Sequence, residues 1–201
     1  KMRVKVFQDV LDANDRLAEM NRKTFAEHKL LVLNLIGSPG CGKTTLLERT
    51  LASLSERKKL RPGVIEGDLE TSRDAERIAR CGVPAVQINT QGGCHLDAAM
   101  VQSVLGDLPL KEMDVLFIEN VGNLICPADY DLGERCKVVL LSVTEGDDKP
   151  SKYPYVFRGA AAAVLTKMDL LEHTDFSVKT ALRDMRVAHP RLPAFQVSAR
   201  T

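Results

Sequence analysis

The chain has 201 residues, 44% of them hydrophobic, which is enough for one well-buried domain. Its 28 basic residues are balanced by 27 acidic ones to a net charge of +1, which excludes the electrostatic footprint of a nucleic-acid or anionic-membrane binder. No apolar stretch approaches the ~20 residues of a membrane span and no apolar signal core opens the chain, so a cytoplasmic protein is expected, with neither nucleic acid nor membrane as partner. Five cysteines, an odd number, suit a reducing compartment where thiols serve as core residues or ligands.

In chain order, Val6, Val10, Ala13, Leu17, Met20 and Phe25 recur at helical spacing and predict an amphipathic helix over 1–28. Strands are predicted over 30–36, 64–66, 85–89, 115–119, 138–143, 161–166 and 195–198. The first and fifth are almost continuously apolar, as in a parallel sheet covered on both faces. Helices are predicted over 44–57, 72–80 (capped by Thr71 or Ser72, with Gly82 past its end), 96–105 and 176–187. The alternation predicts a single domain over 1–201, a three-layer α/β fold of P-loop NTPase type with a mainly parallel sheet, a helix before the first strand, and the ligand at the carboxyl ends of the strands.

The first strand runs into Gly37-Ser38-Pro39-Gly40-Cys41-Gly42-Lys43-Thr44, which satisfies G-x-x-x-x-G-K-[ST]. A phosphate cradle needs a strand that stops abruptly, a glycine turn whose N–H groups converge, and a helix N-terminus facing the anion. Gly37, Ser38, Gly40, Cys41, Gly42 and Thr45 are expected around the phosphates. Lys43 is expected to reach the β/γ-phosphates and the Thr44 hydroxyl to ligate Mg²⁺. Cys41 reads as a tolerated variable position. A fortuitous glycine turn is the plainer alternative.

Two strand ends carry acids. The apolar run 115–118 ends in Glu119 followed by Asn120-Val121-Gly122, the form of a Walker-B segment with a switch glycine, and Glu119 is expected on the Mg²⁺ side. Ile65-Glu66-Gly67-Asp68 ends the second strand, and Asp68 is assigned to Mg²⁺ or to positioning the attacking water. Solvated strand-end carboxylates remain the alternative for both.

Further along, Thr166-Lys167-Met168-Asp169 is close to the N-K-x-D pattern that selects guanine. Asp169 can accept from guanine N1 and N2, and the Lys167 stem can pack along the base. Thr166 replaces the usual Asn, which implies the loss of one orienting amide and looser specificity. Ser198-Ala199 follows the last strand as a second guanine loop would, so GTP is favoured over ATP.

Gly92-Gly93-Cys94-His95-Leu96-Asp97 and Asn123-Leu124-Ile125-Cys126-Pro127 offer two thiols and an imidazole. Soft sulfur with imidazole suits Ni²⁺ or Zn²⁺. Three donors leave a four-coordinate site incomplete, so water or a two-fold-related subunit would complete it. The structural alternative is Cys94 as a helix cap, His95 at the surface and Cys126 in the core. Cys81 and Cys136 read as core.

These motifs together with Glu66-Gly67-Asp68-Leu69-Glu70-Thr71, Glu119-Asn120-Val121-Gly122-Asn123-Leu124, Cys126-Pro127 and Thr144-Glu145-Gly146-Asp147-Asp148-Lys149-Pro150 resemble the hydrogenase nickel-incorporation GTPase, the HypB family, over nearly the whole chain. The resemblance implies a SIMIBI-class GTPase that dimerises with GTP, turns over slowly, and with a maturation partner helps deliver Ni²⁺ to the large subunit of [NiFe]-hydrogenase. It places the metal donors on Cys94, His95 and Cys126. The family often has an N-terminal cysteine motif or His-rich tract, which this sequence with its four His lacks, and it continues past Ser198-Ala199-Arg200-Thr201 into a closing helix, so a C-terminal helix is expected to be truncated. Lys149, Asp147 and Asp148 are candidates for a contact near the nucleotide or across the dimer, against a solvated turn. A urease-type nickel GTPase is disfavoured because its metal Cys and His stand in a C-x-H arrangement. A small-molecule kinase would need an acceptor pocket that no segment supplies. A passive metal-binding scaffold, with GTP as a slow conformational ligand, stays open.

Overall fold

All seven apolar runs form strands: β1 (Leu31–Gly37), β2 (Pro62–Asp68), β3 (Ala85–Asn89), β4 (Val115–Glu119), β5 (Cys136–Ser142), β6 (Ala160–Thr166) and β7 (Ala194–Gln196). They pair in the order β3-β2-β4-β1-β5-β6-β7, and every pairing is parallel. The computed structural model describes residues 6–57, 60–68 and 73–200. Eight α-helices lie among these residues: α1 (Val6–Glu27), α2 (Lys43–Arg57), α3 (Arg73–Ala79), α4 (Ala98–Val104), α5 (Cys126–Asp129), α6 (Lys149–Lys152), α7 (Pro154–Arg158) and α8 (Val178–Ala188). The helix predicted over 72–80 is α3, and its proposed caps Thr71 and Ser72 fall outside the described residues. So do residues 1–5 of the helix predicted over 1–28. The short α5, α6 and α7 were not predicted, because a helix of one turn has no period to read.

Side chains alternate across the sheet, so each central strand feeds two cores. Val64, Val115, Phe117, Leu35 and Leu140 pack against Leu47 and Leu51 of α2 and Ile78 of α3. On the other face, Ile65, Leu116 and Ile118 join Phe25 of α1 and Val101 of α4, while Val139, Leu141 and Leu165 join Phe157 of α7 and Met185 of α8. The result is the expected three layers. β4 is buried along its whole length, which is why its sequence is an unbroken apolar run up to its terminal acid.

The expected buried stripe of α1 is corrected. Val10 and Met20 are about half exposed, and the inward face is Asn14, Ala18, Asn21 and Phe25. Two asparagines occupy this face because they satisfy backbone groups that no helix or strand reaches. Asn14 Nδ2 donates to Asp131 O at 2.8 Å and its Oδ1 accepts from Ala98 N at 2.9 Å. Asn21 Nδ2 donates to Ala98 O and Leu132 O at 2.9 and 3.1 Å. Gly133, at φ 89°, runs so close to α1 that a Cβ there would meet Ala18 O at 2.7 Å. Polar contacts of this kind are individually modest but costly to leave half made. Replacing Asn21 with Ala should therefore cost about 2–3 kcal/mol of unfolding free energy in urea titration, because two buried carbonyls lose their donor, whereas Met20→Ala should change it by less than about 0.5 kcal/mol.

Candidate nucleotide site and thiol pair

β1 ends at the centre of the sheet, and the chain turns through residues 37–42 into α2. Gly40 and Gly42 hold φ angles of 71° and 95°, a region that side chains disfavour, which explains these two glycines. Gly37 is required for a different reason: a Cβ there would lie 2.6 Å from Cys41 Sγ and 2.8 Å from Leu140 O. Cys41 is thus a core residue packed under the loop, which corrects the reading of it as a freely variable position. Lys43 Nζ lies over the loop, 3.1 Å from Gly37 O and 3.5 Å from Ser38 O. Ser38 Oγ accepts from Lys149 Nζ at 2.8 Å, and Lys149 also pairs with Glu145. Of the three candidates around 147–149, Lys149 therefore reaches the loop. Asp148 pairs with Lys152 at the surface, and Asp147 accepts from the Ser177 N–H beside α8.

The acids gather on the α2 face. Thr44 Oγ1 donates to Glu119 Oε1 at 2.7 Å, so the two residues assigned to Mg²⁺ from the P-loop and from β4 are in contact. Asp68, half-buried at the end of β2, lines the same cavity of about 390 Å³ as Lys43, Thr44 and Glu119. A residue that the sequence did not single out joins them. Glu66 stands opposite Glu119 in the β2–β4 register, and both are more than nine-tenths buried. Among the described residues the second oxygen of each, Oε2, has no hydrogen-bond partner. Burial, followed by the charges of Glu119, Asp68 and Asp74, raises the Glu66 carboxyl to about 8. Burial raises Glu119 to about 7 against the Thr44 hydrogen bond and the Lys43 charge. Hard, unpartnered oxygens beside a phosphate cradle fit Mg²⁺. Glu66 was missed because two acids at i and i+2 look alike in sequence, and only the register shows which one faces Glu119. Arg77, which also lines this cavity and donates to Glu48 at 2.6 Å and Thr45 at 3.1 Å, carries no sequence signal.

Beside it, Gly42, Thr45, Lys167, Asp169 and Ala199 line a smaller cavity of about 170 Å³. Lys167 sits in the left-handed region at φ 57°, and Ser198 Oγ donates to Asp169 Oδ1 at 2.7 Å. Ala199 O is held by Arg49 Nε at 2.8 Å. Thr166 does not leave the loop untied: its buried Oγ1 donates to Cys41 O at 2.6 Å, so a hydroxyl binds the base loop to the P-loop.

The soft donors lie on the other side of the same strand ends. The turn 89–93 is closed by Gly93 N to Thr90 O at 3.0 Å and Thr90 Oγ1 to Gly93 O at 2.7 Å, with Gly92 at φ 90°. It presents an exposed Cys94 and a half-buried His95. Cys126 opens α5, after an Asn123 side chain that accepts the Ile125 N–H at 2.9 Å. Cys94 and Cys126 come together: their shared hydrogen bond, ahead of burial, holds the Cys94 thiol above its ordinary range. His95 Nδ1 is 3.5 Å from Cys94 Sγ, and its ring stacks on Tyr130 with centroids 3.8 Å apart. Burial lowers the His95 pKa, favouring the neutral imidazole. Among the described residues no group of three or more His, Cys, Asp or Glu is arranged to hold a metal ion, so the three predicted donors form a thiol pair with an adjacent stacked imidazole. Cys81 and Cys136 are half-buried, less enclosed than expected of core residues, and all five cysteines are free thiols.

Fold and site together define a P-loop nucleotide-binding protein of the α/β NTPase class. The chain belongs to the CobW/HypB/UreG family, whose nucleotide-binding domain matches residues 31–196. It is 52% identical over 191 residues to the hydrogenase maturation factor HypB of Escherichia coli K12, which covers 95% of this chain and 65% of that protein. It is 42% identical over 204 residues to the hydrogenase/urease maturation factor HypB of Helicobacter pylori, spanning 100% of this chain and 83% of that one. The crystal structure of HypB from Helicobacter pylori in complex with nickel superposes with a TM-score of 0.88 at 42% identity, covering 94% of this chain and 88% of the other. The chain thus spans about 65% of the Escherichia coli relative's length. Among the described residues no helix is long and apolar enough to cross a membrane.

Because the folded chain holds Glu66 and Glu119 protonated up to about 8 and about 7, well above the ordinary 4.5, it binds protons there that the unfolded chain releases. Their contribution to stability is full below pH 4.5 and is lost as pH rises through the interval up to about 8. In calorimetry of the metal-free protein, Tm should fall as pH rises from 4.5 to about 8, and it should fall less in Glu66→Gln. An identical pH slope in the variant would remove the assignment of a buried proton to Glu66.

Proposed function

We propose that this chain is a slow GTPase that carries nickel during [NiFe]-hydrogenase maturation, acting in a reducing cytoplasmic compartment as a GTP-dependent homodimer. The observation that carries the reading is that one of the two soft donors, Cys126, sits on a segment bridged to the nucleotide loop itself. Gly37, first residue of the P-loop, forms an antiparallel bridge with Asn123, three positions before Cys126. Gly122 lies so close to the loop that a Cβ there would be 3.0 Å from Pro39 Cα. A shift of this segment with the γ-phosphate would therefore move Cys126 relative to Cys94, and hydrolysis would weaken or release the ion.

The cradle of residues 37–45 holds the phosphates, with Lys43 turned from its loop carbonyls onto the β/γ oxygens. Thr44, Glu119 and Asp68, with Glu66 behind them, would hold Mg²⁺, which when bound neutralises charge on the β/γ-phosphate oxygens. Asp68 or Glu66 orients the attacking water. Asp169, fixed by Ser198, accepts from the guanine ring, and Lys167 covers it. Nickel is cargo, taken by the thiolates of Cys94 and Cys126 with His95 adjacent. The nickel complex of the Helicobacter pylori relative supports that choice over Zn²⁺. Two donors of one chain leave positions for a second protomer, and the hydrogenase large subunit and a maturation partner are the expected recipients. The joint hydrogenase/urease name of the same relative favours a second reading, in which the accepting apoenzyme is a urease.

Replacing Lys43 with Ala should lower GTP hydrolysis by about 100-fold or more, and Asp169→Asn should reduce the preference for GTP over ATP with the phosphate cradle intact. Turnover by phosphate release checks both, and unchanged hydrolysis in the Lys43 variant would sink the active-site assignment. Titration calorimetry with Ni²⁺ should show at least about tenfold weaker binding in Cys94→Ala and Cys126→Ala. Cys81→Ala and Cys136→Ala should bind as the parent does. If metal affinity and oligomeric state are the same with GDP and with a non-hydrolysable GTP analogue, the passive-scaffold reading takes over.

A further inference from the structure

The end of the sheet is two-faced, and the alternation of side chains decides what each face receives. Glu66, Asp68 and Glu119 share the face of Val64 and Phe117, toward α2 and the phosphates. Gly67 and Asn120 take the opposite face, toward the loop carrying Cys94 and His95. Both touch one residue there, Leu96. The fully buried Leu96 side chain covers Gly67 so closely that a Cβ at 67 would lie 2.8 Å from its Cδ1. The Leu96 N–H donates to Asn120 Oδ1 at 3.1 Å, and the same oxygen accepts from Val121 N at 3.0 Å. Asn120 N donates to Leu35 O at 3.1 Å, and Asn120 itself lines the nucleotide cavity next to Glu119.

A second support reaches the loop from the end of β2, where Thr90 N and Oγ1 donate to Asp68 O at 3.0 and 3.3 Å, and the remainder is remote from the phosphates. Asn120 Nδ2 donates to Asn34 Oδ1 at 3.2 Å, and Asn34 Nδ2 to Glu134 Oε1 at 3.1 Å. Glu134 Oε2 accepts from Leu132 N at 2.7 Å. Asn21 then joins Leu132 O back to Ala98 O, two residues beyond Leu96. This closed ring of buried side chains frames the Cys94–His95 loop from behind, and Asn120 is its one member adjacent to a residue assigned to Mg²⁺.

We propose that Asn120 is the positioning residue that couples the nucleotide site to the Cys94–His95 half of the nickel site, with Leu96 as the point of contact. Cys126 follows the nucleotide by chain continuity with β4. Cys94 and His95, some 25 residues earlier in sequence, can follow the tail of β4 only through a non-covalent tie, and the Asn120–Leu96 bond is that tie. When the tail of β4 moves with the γ-phosphate, Asn120 either carries Leu96 with it or releases it. Both change the separation of Cys94 from Cys126, and by linkage nickel must bias the tail in return.

This rests on the proposed gating of nickel by GTP, and the test separates the two. Ni²⁺ is titrated into the protein loaded with Mg·GDP and with a Mg·GTP analogue. The parent should show affinities differing about fivefold or more. In Asn120→Ala the ratio should collapse toward one, while nucleotide-free Ni²⁺ binding, made by the untouched thiols, stays within about threefold. If the parent shows no difference, the gated-carrier reading falls and this inference with it. If the parent shows it and Asn120→Ala preserves the ratio, chain continuity through Cys126 or the Thr90–Asp68 bonds carry the coupling and only the inference on Asn120 is overturned. Should the variant fold poorly, hydrogen exchange of the Leu96 amide in the parent decides the matter. Its protection should change several-fold between the nucleotide states and shift again on Ni²⁺ addition, and a constant protection factor overturns the proposal.

Discussion

A carboxylate at the end of a wholly buried strand is the constraint on which the rest depends. Glu119 closes β4 with one oxygen held by Thr44 and the other unpartnered, and its neighbour across the ladder is a second buried acid. Leaving two such charges uncompensated would cost several kcal/mol each in effective desolvation, about a third or more of a domain's net stability. The alternatives are protons or a cation. The raised carboxyl values record the first solution, and the Thr44 hydroxyl with the adjoining cradle prepares the second. A site destabilised in this way would gain from a divalent ion, which would remove a cost the fold already carries.

The parallel sheet explains why so much chemistry lies at one edge. Parallel strands all end on the same side, so β1, β2, β4 and β6 deliver the P-loop, the two acidic ends and the Lys167–Asp169 loop without long excursions of chain. Thr166 and Ser198 then tie the pieces to one another through Cys41 and Asp169. Rigidity follows from short bonds between loops more than from the loops themselves.

The strands were legible because a strand buried on both faces reads as an apolar run, and the P-loop because its glycines are fixed by backbone geometry. Residues working through a partner were not legible. Asn14 and Asn21 look like the polar side of an amphipathic helix until Ala98, Asp131 and Leu132 are seen to need them. Glu66 looks like a spare acid until the register sets it opposite Glu119. Thr166 reads as a lost amide, yet its hydroxyl ties the loop after β6 to Cys41 of the P-loop. In each case the missing information is which unsatisfied backbone or side-chain group lies across the fold, and sequence spacing is silent on contacts of long range.

Two kinds of metal donor stand seven positions apart along the same chain segment, Glu119 and Cys126. They face different chemistry: oxygen donors with hydroxyl support suit a hard ion, and thiolates suit a soft one. On the proposed function, ions would therefore be sorted by ligand type, and neither site would have a reason to take the other's ion at the moment of hydrolysis. Communication between them must then be mechanical. It has to pass through residues that bind no metal, and the segment between Glu119 and Cys126, braced by Gly37 on one side and by Leu96 on the other, is the part of the fold placed to carry it. On the proposed function, a carrier built this way would release its cargo by moving donors apart, with the energy of the nucleotide reaction entering as a change of geometry at the end of one strand.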